Sequence, residues 1–152
     1  KKEKIKNIYP LFASSDDPLK DDIRKFENLG TRPFFIEQAI GKALEFHEMI
    51  GSERKEKRLH YLKNYWMEKV KDVPKVKINT SLHPKWGCAI GSVAIEGRKP
   101  AELDSFLFDK YKIHTVGIEW ENIHGVRITP NVYTTTANLD LLVEGIVAFA
   151  KS

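Results

Sequence analysis

The sequence predicts an α+β domain, with a small antiparallel or mixed sheet of about four strands covered by helices. Three observations predict it. Long segments carry apolar residues at helical spacing, and short segments alternate apolar with polar residues. Their order is helix, helix, strand, strand, helix, strand, strand, helix, so neighbouring strands can pair antiparallel. The chain has 152 residues, 41% of them hydrophobic, which suits one ordinary domain with a real core.

Residues 1–30 read as irregular, because "SSDDPLKDD" is a run of turn formers and "IRKFENLG" is short and ends in glycine. After "GTRP", Ile36, Ala39, Ile40, Ala43, Leu44, His47 and Ile50 recur at helical spacing. Gly51 stands where a helix ends, and Ser52 is the expected N-cap of a second helix. That helix carries Leu59, Leu62, Trp66 and Val70 until "DVP" stops it. "KVKINTSL" alternates as a strand, and "CAIGSVAIEG" reads as a more buried one that Cys88 opens. "KPAELDSFLFDKYKI" is helical through Leu103, Phe106, Leu107 and Tyr111. "HTVGIEW" and "GVRITP" form a strand pair around "ENIH", and a last helix starts near Thr135 or Thr136.

Composition excludes little but orders the possibilities. Lys and Arg total 25 against 21 Asp and Glu, a net charge of +4, which permits nucleic acid or acidic ligands without demanding them. No apolar run approaches the ~18 residues of a membrane span. The opening "KKEKIKNIYP" has neither methionine nor the apolar core of a signal peptide, so the chain reads as a piece of something longer. Cys88 is the one cysteine, which rules out a disulfide framework within the chain. The five histidines, His47, His60, His83, His114 and His124, form no H-x-x-x-H or H-E-x-x-H pair, so no metal site is expected. His47 reads as a core histidine and His124 as a loop residue that could border a pocket.

Ser92 lies within a strand rather than on the sharp turn a nucleophile elbow needs, and Glu119 and Glu121 flank Trp120 as solvated hairpin charges. Arg54, Lys55, Lys57 and Arg58 alternate with Glu53 and Glu56, the pattern of an ion-paired, solvent-facing helix. Tyr61, Tyr65 and Trp66 suit packing better than base stacking.

Two places suit anion chemistry. In "NLGTRPFF", Gly30 and Thr31 precede a helix start where free N–H groups and the helix dipole converge; an ordinary capped helix start is the commoner meaning of the same residues. In "GVRITP", if Val126 and Ile128 face the core, Arg127 and Thr129 face the other way. Arg127 is then either a solvated strand residue or a guanidinium aimed at a carboxylate.

Three stretches, "DIRKFENLGTRPFFIEQAIGKALEFHEMIGSERKEKRLHYLKNYW", "IEWENIHGVRITPNVYTT" and "ANLDLLVEG", resemble the C-terminal part of class V (fold type I) pyridoxal 5′-phosphate-dependent aminotransferase-like enzymes. The resemblance is strongest to the isopenicillin N epimerase-like branch. It runs over nearly the whole chain and is specific in the GTR loop and the R-x-[ST]-P-N-x-Y-[NT]-T run.

The resemblance implies that Arg127 binds the α-carboxylate of an amino-acid substrate. It also implies that Gly30 and Thr31, with Arg32 beside them, reach the cofactor phosphate across a homodimer interface. Residues 1–34 would be the trailing segment of the large domain plus the linker with the GTR loop, and 35–152 the C-terminal small domain. The Schiff-base lysine would belong to an N-terminal large domain outside this chain, which alone would be inactive.

"SLHPKWG" is similar to the setting of that lysine, but a proline separates His83 from Lys85, and Lys85 follows the GTR loop instead of preceding it. Cys88, placed in an apolar strand, does not match the mobile-loop cysteine of the desulfurase branch. A cytoplasmic enzyme acting by transamination, epimerisation or elimination, without nucleic acid or membrane, is the expectation. The alternative is an independent α+β binding module with a basic face.

Overall fold

The computed structural model describes residues 2–9, 22–26 and 33–152. The chain divides into two compact units, Lys1–Phe46 and His47–Ser152. In the first, 3₁₀ turns at Lys2–Asn7 and Ile23–Phe26 precede helix α1, Phe34–Ile50, whose last turn belongs to the second unit. The apolar stripe of α1 is present, but none of the helix is buried, and Ile36, Ile40 and Leu44 are each more than half exposed.

In the second unit the order is α2 (Ser52–Val70), β1 (Val76–Ile78), β2 (Gly91–Ile95), α3 (Pro100–Tyr111), β3 (Val116–Trp120), β4 (Ile123–Ile128) and α4 (Thr136–Lys151). The strands form one four-stranded sheet in the order β1-β2-β4-β3, every pair antiparallel. The α+β class expected from the sequence is therefore the fold observed.

One face of the sheet carries the core. Val93 and Ile95 of β2 and Val126 and Ile128 of β4 meet Leu62, Trp66, Met67 and Val70 of α2, Leu103 and Leu107 of α3, and Leu139, Leu142, Ile146 and Phe149 of α4. The burial pattern of β2 alternates strictly between buried and half-buried residues, as a sheet covered on one side should. Gly91 lies on the core face because a Cβ there would stand 2.4 Å from Trp66 Cζ2.

Local chemistry sets the helix ends. Thr135 caps α4: its Oγ1 accepts from Asn138 N–H at 3.2 Å while Asn138 Oδ1 accepts from Thr135 N–H at 3.0 Å. Glu102 Oε2 likewise accepts from Lys99 N–H at 2.7 Å at the start of α3. The cap expected at Ser52 is instead Gly51, whose φ of 84° both ends α1 and starts α2. A left-handed backbone at that joint needs glycine, and Ser52 Oγ pairs with His47 Nε2 at 2.9 Å. His47 is thus half-exposed beside that joint, not a core residue.

α2 and α4 are tied by Asp140, which accepts from Tyr65 Oη at 3.0 Å and from Lys69 Nζ at 2.5 Å. These bonds hold the Asp140 carboxyl below its usual range and, with Lys69 beside Tyr65 and Asp140, raise the Lys69 ammonium. Lys63 of α2 is fully buried under the 79–90 connection, and its Nζ donates to the Ser81 carbonyl at 3.0 Å. Burial lowers its pKa, opposed by the neighbouring Cys88.

Candidate functional site

The face of the sheet opposite the helices is open within this unit. Val126 and Ile128 are buried while Arg127 between them is exposed, as strand alternation requires. Register then selects the neighbours of Arg127: Ser92 stands opposite on β2 and Val116 opposite on β3. Continuing the alternation, the outward positions are Lys77 and Asn79 on the β1 side, Ser92 and Ala94 on β2, and Ile123 and Gly125 beside Arg127 on β4. Strand β3 presents Val116, Ile118 and Trp120. No carboxylate is among these positions, whereas Lys77 and Arg127 are cationic. Among the described residues the Arg127 side chain makes no hydrogen bond or ion pair, so an accessible guanidinium stands beside an apolar strand.

Beside Arg127 the face becomes polar. Asn79 crosses above β2: its Nδ2 donates to the His124 carbonyl at 2.8 Å and lies 3.4 Å from Ser92 Oγ. Gly125 makes this crossing possible. A Cβ at 125 would stand 2.7 Å from Asn79 Nδ2, 2.8 Å from the Val93 carbonyl oxygen and 2.9 Å from Ser92 Oγ. Sequence reasoning missed Asn79 and Gly125 and dismissed Ser92, since only the strand register brings residues so distant in sequence to Arg127.

The other candidates fall elsewhere. Gly30, Thr31 and Arg32 lie outside the described residues. His124 is in β4 but alternates to the face opposite Arg127, with its Nδ1 3.8 Å from Glu119 Oε1. Lys85 sits in an exposed 3₁₀ turn, Pro84–Trp86, with its ammonium 5.3 Å above the Trp86 ring. Cys88 does not open a strand: β2 begins at Gly91, and Cys88 is exposed in the preceding loop. The reason is local, because the 3₁₀ turn ends in Gly87, and Lys63 lies against that glycine too closely for a side chain.

A cleft of about 480 Å³ brings Cys88 together with His47, His60 and Lys85. Among the described residues no group of three such side chains could hold a metal ion. On α2 the basic run is exposed at Arg54 and Lys57 and half-buried at Lys55 and Arg58; Lys57 pairs with Glu53 at 2.5 Å, and Arg58 donates to the Thr134 carbonyl at 3.0 Å. No helix among the described residues is long and apolar enough to cross a membrane.

Known folds align with this one. The chain is similar to the apo structure of a cysteine desulfurase from Thermococcus onnurineus NA1, with a TM-score of 0.75 and 20% identity over 88% of this chain and 35% of that one. It is also similar to a NifS-like protein, with a TM-score of 0.70 and 17% identity over 95% of this chain and 39% of that one. An alanine–glyoxylate aminotransferase from Nostoc sp. gives 0.61 and 17% over 78% and 32%. The chain thus spans about a third of the length of the structures it matches.

No family model and no curated protein matches the sequence. At these identities the likeness is one of fold.

Proposed function

We propose that this chain is the C-terminal part of a class V pyridoxal-phosphate-dependent enzyme of the isopenicillin N epimerase-like branch, acting on an amino acid. The observation that carries the reading is Arg127, a guanidinium without a partner among the described residues on the open sheet face of a domain with this fold. Its neighbours fit an anionic substrate, since no acidic side chain competes for it and the adjoining donors are neutral. Gly30, Thr31 and Arg32 take the role of contacts to the cofactor phosphate from the neighbouring protomer of a homodimer.

In this reading the cofactor supplies an electron sink for bonds at the substrate's Cα. The chain's own contribution is orientation. A bidentate Arg127 fixes the carboxylate plane, and a fixed carboxylate determines which bond at Cα is held for reaction. Val116 and Ile118 make the approach apolar on the β3 side. Substrate identity and the choice among transamination, epimerisation and elimination depend on groups beyond this chain.

The test is the full-length protein that contains this chain. Added pyridoxal phosphate should give the visible absorbance of a lysine-bound cofactor, and replacing one lysine upstream of Lys1 should abolish it. A full-length protein without that absorbance, or one that keeps it when every upstream lysine is replaced, would contradict the reading.

A further inference from the structure

We infer that Ser92 is a second carboxylate donor, working with Arg127 as a two-armed receptor for the substrate's carboxylate; this rests on the role proposed for Arg127. The backbone of Ser92 shows why the two side chains stand together. Its N–H donates to Thr80 Oγ1 at 3.0 Å and its carbonyl accepts from Asn79 N–H at 2.9 Å, so both groups turn toward β1 and away from β4. Ser92 and Arg127 are therefore a non-hydrogen-bonded antiparallel pair, the kind whose side chains approach most closely, with Cβ atoms ~4.5–5.5 Å apart.

The hydroxyl is also oriented. Asn79 Nδ2 points at Ser92 Oγ from 3.4 Å while held by the His124 carbonyl, which leaves the Ser92 hydrogen without an acceptor among the described residues. With Asn79 donating to the oxygen, the Ser92 O–H is left to turn to an acceptor placed on the Arg127 side. A carboxylate resting one oxygen on Ser92 at ~2.7 Å turns its second oxygen toward the guanidinium one strand over. Gly125 keeps that approach open, because any larger residue would press its Cβ into Asn79 and Ser92. Asn79 is a positioning residue in this arrangement, and Ser92 touches the substrate.

The experiment measures propionate binding to the cofactor-loaded full-length protein by calorimetry, with propionamide as the uncharged control. Ser92→Ala should weaken propionate about tenfold, the cost of one hydrogen bond to a charged group, leave propionamide unchanged and spare cofactor binding. Ser92→Thr, which keeps the hydroxyl, should restore affinity to within about twofold. Should the alanine variant not fold, Ser92→Cys keeps the volume with a weak donor and should also weaken propionate.

Unchanged propionate binding in Ser92→Ala, with binding lost in Arg127→Ala, would overturn the role of Ser92 and leave that of Arg127 standing. Equal loss of propionate and propionamide, or no rescue by threonine, would mark Ser92 as merely structural and also overturn it. Propionate binding that is absent in the wild type, or indifferent to Arg127→Ala, would overturn the carboxylate site itself.

Discussion

Gly125 shows how one missing side chain organises the open face. The Asn79 amide and the Ser92 hydroxyl occupy the space a Cβ would need, and the Val93 carbonyl on the third side is backbone that cannot swing away. Gly125→Ala should therefore cost about 1–3 kcal/mol, the range for overpacking a filled site. Chemical denaturation should show the loss, and it should be smaller when Asn79 is also shortened to alanine, because the two residues share one space. Equal losses in both backgrounds would mean that the Val93 carbonyl alone sets the limit. Arg127 is the opposite case, a long side chain with nothing in its own domain to bind. Its strand neighbours Val126 and Ile128 gave its direction away in the sequence, but its freedom from partners depends on the register of three strands.

At the scale of elements, the α2–α4 junction has a pH dependence with a definite sign. Asp140 is held below its ordinary value of 3.8 by Lys69 and Tyr65, and Lys69 is held above 10.5 by Asp140 and Tyr65. The Asp140 contribution is complete above the unfolded carboxyl value and is lost as pH falls through the lower folded one. The Lys69 contribution is complete below 10.5 and is lost only as pH rises past the higher folded value. Asp140→Asn should therefore destabilise the domain by a constant amount across neutral pH, and the gap to wild type should close below about pH 4. A gap that persisted at pH 2 would mean that packing, not charge, joins the helices.

The elements themselves were largely legible. The end of α1 at Gly51 and the α4 cap at Thr135 follow from residue type, whereas the cap of α2 is Gly51 and not the expected Ser52. What failed was the run from Cys88 to Gly97, where apolar composition suggested a longer strand. The chain there first wraps over the buried Lys63, and no periodicity encodes that contact.

At the scale of the whole molecule, the second unit is a folded layer with helices on one face of a sheet whose other face carries the exposed Arg127. The α+β class was readable because the helical and strand periods stand out in separate segments. The site was half readable, since Arg127 announces itself by alternation whereas Ser92, Asn79 and Gly125 become neighbours only through antiparallel pairing.

The central claim is that Arg127 holds a substrate carboxylate, and affinity measurements on the cofactor-loaded full-length protein test it most directly. Titrating amino acids while following the cofactor's absorbance should show Arg127→Ala weakening amino-acid binding by about tenfold or more, the cost of a lost charged hydrogen bond. Affinity for pyridoxal phosphate should stay within about twofold of wild type. Equal loss of both affinities, or no loss of either, would contradict the account.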